Sequence, residues 1–282
     1  MKRWHMVFDT DKCIGCFSCV LACKDEHVGN EWLPYTDRQQ KRDQKWIELG
    51  YRERGWVPRV DLAYRPFMCG HCDDAPCAKR APGCVIRRED GIVLLDPRKA
   101  HGNRELVDAC PYGAISWNEE VGAAQKCTFC AHLIDDGWKE PRCVQACPLK
   151  ALSFAYCEDS EWEKIAGGQG LEPLDDDGSQ PRVLYKNLYR HKTCFIAGAI
   201  AYIGEAGEER AATEATVELR QAGELVTTAQ TDFFGEYKID RLPKGSGAYE
   251  LTYLISGYDP RKKEITLGDE SVCLDVEIFE KR

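Results

Sequence analysis

DKCIGCFSCVLAC, residues 11–23, separates four cysteines by two, two and three other residues. So short a loop can wrap three thiolates around one face of a [4Fe–4S] cluster, while the fourth cysteine leaves on a helix toward a neighbouring cluster. Zinc sites usually present cysteines as separated pairs, and disulfide frameworks belong to small oxidised domains. The stretch therefore favours iron–sulfur clusters over both zinc and disulfides.

The composition narrows the class of protein. The 282 residues are enough for two or three units with separate cores, and sixteen cysteines at such spacings indicate metal in a reducing compartment. A formal net charge of −9 argues against nucleic acid as a partner. We expect no signal peptide before the first motif, and the longest apolar run, 195–203, is far shorter than the ~20 residues that cross a bilayer. We expect a soluble, cytoplasmic chain with no membrane segment.

Most cysteines fall into four groups within residues 1–155, the predicted iron–sulfur domain. In two-cluster ferredoxins, each motif gives three cysteines to one cluster and its last cysteine to the other. The four groups lie at 13–23, 69–77, 110 and 127–147. An exchange of last cysteines between the first and fourth groups completes two clusters. The single cysteine of the third group completes the cluster of the second group. The predicted ligands are Cys13, Cys16, Cys19 and Cys147 for cluster one; Cys127, Cys130, Cys143 and Cys23 for cluster two; and Cys69, Cys72, Cys77 and Cys110 for cluster three.

A fourth cluster site is predicted to have lost all of its ligands. The motif spacing puts them at positions that carry no sulfur, namely Ala81, Ala100, Asn103 and Leu106. Four absences that fall on one cluster indicate a deleted site, and we expect side chains to fill it.

The remaining cysteines and the nearby histidines are not expected to be ligands. Free cysteines are usually small buried apolar residues, which is the prediction for Cys84, Cys157, Cys194 and Cys273. Surface positions or contacts around the clusters are the prediction for His27, His71 and His132.

Two further features lie close to the ligands. Basic residues adjoin them, and they would raise the potentials of negatively charged clusters: Lys12, Lys126, Arg142 and Lys150. The insert 24–68 is rich in aromatic residues, which suit a protein interface or a local core: Trp32, Tyr35, Trp46, Tyr51, Trp56 and Tyr64.

The rest of the chain is predicted to be a linker, 156–192, and a β-domain, 193–282. The linker segment is turn-rich and acidic. The β-domain shows seven short alternating segments: 195–203, 216–220, 224–231, 236–239, 248–255, 263–267 and 271–279. Seven such strands suggest a sandwich or barrel, so the predicted fold class is α+β, with a double ferredoxin-like domain followed by an all-β domain. No catalytic constellation is visible, and we expect the β-domain to bind a partner or brace the assembly.

The order of the cysteine groups resembles that of the iron–sulfur subunits of the dimethyl-sulfoxide-reductase superfamily, which normally carry four clusters. The likeness is closer to the small-subunit family of pyrogallol–phloroglucinol transhydroxylases, with three clusters and a C-terminal β-domain. Matching stretches are DEH (25–27), RERG (52–55), REDGIVL (88–94), CPYG (110–113), KCT (126–128), YKNLYR (185–190) and DFFGE (232–236). TDFFGEY, 231–237, is also similar to the turn and strand of transthyretin-like and carboxypeptidase-regulatory domains.

The resemblance implies an electron-transfer subunit of a heterodimer, with no catalytic residue of its own. The partner would be a large subunit that holds molybdenum on two pterin guanine dinucleotides and binds a polyhydroxylated aromatic substrate. Cys147-Pro148 follows the superfamily form more closely than that family, which leaves open a relative such as a catechol dehydroxylase. Two non-enzymatic hypotheses also stay open, a structural iron–sulfur module and a free-standing polyferredoxin.

Overall fold

Residues 1–175 and 177–280 are described by the computed structural model, and they fall into two units. Unit 1 contains residues 1–51 and 63–188, and unit 2 contains residues 52–62 and 189–282. Part of the aromatic insert therefore groups with the β-domain rather than with the cysteine-rich region. Within the described residues, no helix is both long enough and apolar enough to span a membrane.

The elements of the cysteine-rich region are short because its loops follow the cysteine motifs. They are β1 (Lys2–Asp9), α1 (Ser18–His27), β2 (Ile47–Arg54), β3 (Asp61–Met68), α2 (Pro76–Arg80), β4 (Val85–Arg87), β5 (Val93–Leu95), α3 (Pro97–Ala100), a 3₁₀ helix (Arg104–Ala109), β6 (Ser116–Asn118), β7 (Ala123–Gln125), α4 (Ala131–Asp135), α5 (Arg142–Gln145), β8 (Leu152–Glu158), α6 (Asp159–Gln169) and β9 (Val183–Lys186). Residues 98–109 do not form one continuous helix, because Gly102 in the left-handed region (φ 70°) separates α3 from the 3₁₀ helix.

The main sheet of unit 1 has three strands in the order β8-β1-β9. β8 runs antiparallel to β1, and β9 runs parallel to it. Buried apolar side chains from all three strands, such as Phe8, Leu152 and Tyr185, share a core with the thiols of Cys23 and Cys127. The cysteine loops and the sheet therefore stabilise each other through one continuous core.

The segment predicted as a linker, 156–192, contains regular structure. It includes the end of β8, helix α6 and strand β9. Helix α6 buries Trp162 and ends at Gly170, a left-handed C-cap with φ 62°. β9 alternates buried Val183 and Tyr185 with half-buried neighbours, so it fits beside β1 as an edge strand. Strand β9 was not predicted because its apolar pattern is only four residues long and the neighbouring sequence is acidic and turn-rich.

Residues 189–280 contain one short helix and eight strands. They are α7 (Tyr189–Lys192), β10 (Cys194–Ile203), β11 (Glu209–Ala211), β12 (Thr216–Gln221), β13 (Glu224–Gln230), β14 (Glu236–Leu242), β15 (Gly247–Leu254), β16 (Arg261–Leu267) and β17 (Val272–Phe279). One sheet has the order β11-β10-β14, with β17 parallel to β10, and the other has the order β13-β12-β15-β16. Both sheets contribute buried side chains to one core, including Ile196, Val217 and Leu251.

Strand β11 is the element that the seven-strand prediction lacks. All three of its residues are exposed, so no alternation of apolar and polar side chains reveals it. All seven predicted segments correspond to strands of unit 2.

Residues 52–62 join unit 2 through a buried ionic network. The Arg54 side chain has no exposed surface, and its guanidinium donates to Asp61 Oδ2 at 3.0 Å. It also donates to both carboxylate oxygens of Asp240, at 2.7 and 3.0 Å. Arg190 donates to Asp61, and Lys238 lies 3.4 Å from Asp61 and 3.2 Å from Asp240. The network holds the segment against strand β14.

Candidate metal centres

Three C-x-x-C loops of unit 1 share a left-handed backbone conformation at the same position. The residue before the second cysteine adopts the left-handed conformation in each: Gly15 (φ 70°), His71 (φ 48°) and Phe129 (φ 53°). The N–H groups of His71 and Phe129 donate to the first cysteine of their loops, Cys69 and Cys127, at 3.4 Å in both cases. Such turns direct backbone N–H groups at an anion, and hydrogen bonds to sulfur tune cluster potentials.

Gly15 also lacks room for a side chain, in addition to its left-handed conformation. A Cβ at this position would lie 2.3 Å from the ring of Tyr64, which occupies the space beside the first loop. Substitution would therefore strain the backbone and displace the ring.

The predicted ligands of cluster one come together in unit 1. Burial, and then the neighbouring thiol of Cys13, raise the pKa of Cys19 to about 11, with smaller effects from Cys147 and Cys16. Ala151 N–H donates to Cys147 Sγ at 3.2 Å. Cys16 is exposed, so this set lies at the surface of the unit.

The predicted ligands of cluster two form the most buried set. Helix α1 carries Cys23 and packs against α5, which carries Cys143. Burial raises the pKa of both thiols well above the usual value, and the neighbouring thiols of Cys127 and Cys130 raise it further. The fourth motif therefore encloses the last cysteine of the first motif, as the exchange rule predicts.

The predicted ligands of cluster three also converge. Burial raises the pKa of Cys72 to about 12, and the thiols of Cys69, Cys110 and Cys77 contribute to this rise. Burial raises the pKa of Cys77 and of Cys110 as well.

These sets suit [4Fe–4S] clusters better than single metal ions. In the described part of the chain, no three His, Cys, Asp or Glu side chains approach closely enough to hold one ion. One zinc ion draws four thiolates to about 2.3 Å, whereas the thiolates of a cubane bind different irons and stand further apart. Buried thiols whose pKa values rise this far become thiolates only beside a cation, and the irons of a bound cluster would supply that charge. Ligation by the three sets stays a prediction.

The positions of the deleted fourth site lie around one apolar core. Ala100 and Leu106 are fully buried in it, and Ala81 packs against it. Asn103 Nδ2 lies 3.6 Å from Cys84 Sγ, so this non-ligand cysteine adjoins the same positions. The burial of these side chains is compatible with a deleted site, and the number of clusters stays a prediction.

The remaining cysteines and histidines also have defined positions. Cys157 and Cys194 are buried, whereas Cys84 and Cys273 are half-buried. His71 is fully buried, accepts a hydrogen bond from Val93 N–H at Nδ1 (3.0 Å) and stacks on Phe129 at 3.6 Å. The Nε2 atom of His27 lies 3.8 Å from Cys130 Sγ, and burial lowers the pKa of this histidine to about 3. His132 Nε2 lies 3.0 Å from Glu26.

The basic residues differ in ways that their sequence positions do not reveal. Lys126 is 2% exposed, whereas Lys12 and Lys150 are exposed. Arg142 Nε forms an ion pair with Glu26 at 3.2 Å. Sequence reasoning treated all four alike, and only the burial of Lys126 distinguishes it.

Comparisons with known proteins agree with this chemistry. Residues 60–156 match a 4Fe-4S dicluster domain and residues 4–25 match a 4Fe-4S binding domain. The chain is 44% identical to the pyrogallol hydroxytransferase small subunit of Pelobacter acidigallici, over 97% of this chain and 98% of that one. It is 34% identical to a putative iron–sulfur subunit of dimethyl sulfoxide reductase from Halobacterium salinarum, over 66% of this chain and 80% of the relative. An arsenate respiratory reductase iron–sulfur subunit of Shewanella is 29% identical over 68% of this chain and 100% of that one.

Proposed function

This chain belongs to the family of iron–sulfur subunits that includes the pyrogallol hydroxytransferase small subunit, and from this premise we propose that it transfers electrons for a molybdenum enzyme acting on polyhydroxylated aromatics. The observation that carries the proposal is the full-length relationship, which includes the β-domain. The reductase relatives match only about two thirds of the chain.

The cofactors of this chain are three [4Fe–4S] clusters. Three sets of four converging cysteines support this number. The buried apolar side chains around Leu106 argue against a fourth cluster. The clusters, when bound, supply one-electron transfer, and the protein contributes the ligands, the N–H donors and the exclusion of water.

Iron and acid-labile sulfide analysis of the purified full chain tests the cluster number. We expect about twelve irons and about twelve sulfides per polypeptide, from three cubanes of four irons each. About sixteen irons would contradict the deleted site, and zinc in place of iron would contradict the whole assignment.

The substrate and the molybdenum cofactor belong to the large catalytic partner. The cofactor there is molybdenum on two pterin guanine dinucleotides, as the family implies. The cluster-one cysteines offer a surface for this partner, because Cys16 is exposed and three exposed apolar side chains, Ile14, Phe17 and Leu21, belong to the same loop and helix. Exposed apolar groups of this kind are typical of protein interfaces.

The β-domain has a transthyretin-like or carboxypeptidase-regulatory fold and binds a partner or braces the assembly. Two four-stranded sheets and the tight turn at 232–235 support this assignment. In that turn, Asp232 Oδ1 accepts from the N–H groups of Phe234 and Glu236, both at 2.9 Å. The turn exposes the rings of Phe233 and Phe234, which are available for a contact. The cytoplasm is the compartment that suits a chain with sixteen cysteines at cluster-binding spacings.

A catechol dehydroxylase subunit is the second candidate within the same chemistry. A transhydroxylation needs no net electrons, whereas a dehydroxylation consumes two electrons per turnover. Turnover of the complex with a hydroxylated co-substrate and no reductant supports transhydroxylation. A requirement for a strong reductant in every turnover supports dehydroxylation.

The two non-enzymatic hypotheses have separate tests. If the chain is a structural module, its clusters will not change oxidation state in EPR spectra when substrate is added to the complex. If it is a free polyferredoxin, it will purify from its native source without a large subunit.

A further inference from the structure

We propose that Lys126 is a buried positive charge shared by clusters two and three, and that it raises the reduction potentials of both. This inference rests on the three-cluster function proposed above. It concerns a residue that holds no iron and acts only through its charge.

The burial and the partners of Lys126 make this charge unusual. The residue is 2% exposed, and its ammonium donates to two backbone carbonyl oxygens, those of Val93 and of Cys127, the latter at 3.1 Å. Within the described residues, Lys126 forms no ion pair with a carboxylate. A buried cation without a counter-ion is strongly unfavourable, so an anion is expected close by.

The contacts place this ammonium beside both cluster sites. Lys126 directly precedes Cys127, a predicted ligand of cluster two. Val93, whose carbonyl accepts from Lys126, donates its N–H to His71 Nδ1 at 3.0 Å. His71 lies between Cys69 and Cys72 in the loop of cluster three. Val93 in strand β5 is therefore hydrogen-bonded both to Lys126 and to the cluster-three loop.

The loops of the two clusters also touch each other directly. His71 of the cluster-three loop stacks on Phe129 of the cluster-two loop, with the ring centres 3.6 Å apart. Cys69 of cluster three and Cys127 of cluster two share one buried core. The anions that would balance the charge of Lys126 are therefore the two clusters.

The direction of the effect follows from electrostatics. A cubane with four thiolates is negatively charged, and reduction adds one more negative charge. A nearby cation stabilises the reduced form more than the oxidised form, which raises the potential. The interaction is stronger in a buried site, where the effective dielectric constant is lower than in water.

Lys12 provides a matched comparison within the chain. It precedes Cys13 as Lys126 precedes Cys127, but its side chain is exposed. Water and salt screen an exposed charge, so Lys12 should affect cluster one much less.

The test is an EPR-monitored redox titration of the full chain with its clusters, bound to the large subunit. In Lys126→Met we expect the potentials of clusters two and three to fall while that of cluster one stays unchanged. Lys126→Arg, which keeps the charge, should retain both potentials, and Lys12→Met should shift the potential of cluster one much less than Lys126→Met shifts those of clusters two and three. Spectra of the cysteine variants described in the Discussion assign the signals to the clusters.

The outcomes separate this inference from the proposed function. Full iron content in Lys126→Met with unchanged potentials, or a shift in only one cluster, would overturn the role of Lys126. Fewer than about twelve irons in the unmodified chain would instead count against the three-cluster function. If Lys126→Met fails to assemble clusters, Lys126→Arg decides, because normal iron content and potentials support the shared charge, whereas lowered potentials refute it.

Discussion

Cys23→Ala and Cys147→Ala are expected to remove different clusters, in each case the one whose other three ligands lie in the opposite motif. Cys23 belongs to the first motif but adjoins Cys127 and Cys143. Cys147 belongs to the fourth motif but adjoins Cys19. Cys147→Ala should therefore eliminate cluster one and leave cluster two largely intact, and Cys23→Ala should do the reverse.

Iron analysis and EPR spectroscopy measure this exchange. Each variant should lose up to about four irons per chain, and the two lost spectral components should differ. Cys157→Ala is the matched control, because Cys157 is also buried in unit 1 but belongs to none of the three sets. If both variants lost the same component, or if Cys147→Ala damaged the cluster of Cys127 and Cys130, the pairing would be wrong.

The convergence of the cysteines in three sets could be predicted from their spacing, while the ligation of iron by these sets stays a prediction. Each motif fixes three sulfurs within a few residues, and the exchange rule supplies the fourth. Strands such as β12 and β14 followed from the alternation of buried and exposed side chains, whereas β10 followed from a continuous apolar run that is buried on both faces. Exposed strand β11 has no such alternation and was missed.

Features that depend on distant partners could not be predicted. Strand β9 is recognisable only beside β1, to which it pairs from almost the other end of the cysteine-rich region. The sequence around Lys126 resembles that around Lys12, and only the packing of β5 against the fourth motif buries one of them. Likewise, the insert gives no sign that residues 52–62 belong with the β-domain.

Arg54→Met is expected to destabilise unit 2 by about 3–5 kcal/mol, the usual cost of breaking a buried ion pair. The variant would leave Asp61 and Asp240 without the guanidinium that bonds both of them. Burial raises the pKa of each carboxyl, but hydrogen bonds from arginines outweigh it and hold both pKa values below the usual one. Their stabilisation is therefore complete above the unfolded pKa of ~3.9 and is lost as the pH falls through the folded values.

At pH 7 both carboxylates are charged, so the full effect can be measured there by hydrogen–deuterium exchange of strands β10 and β14 in increasing denaturant. Cluster absorbance reports on unit 1 in the same samples. Lys262→Met is the matched control, because the Lys262–Glu250 pair (2.9 Å) is exposed and such pairs contribute about 0–1 kcal/mol. Protection should fall strongly in Arg54→Met and little in the control. Similar losses in the two variants would mean that the buried network does not hold residues 52–62 in unit 2, since removal of a buried guanidinium that bonds two carboxylates should cost more than removal of an exposed lysine.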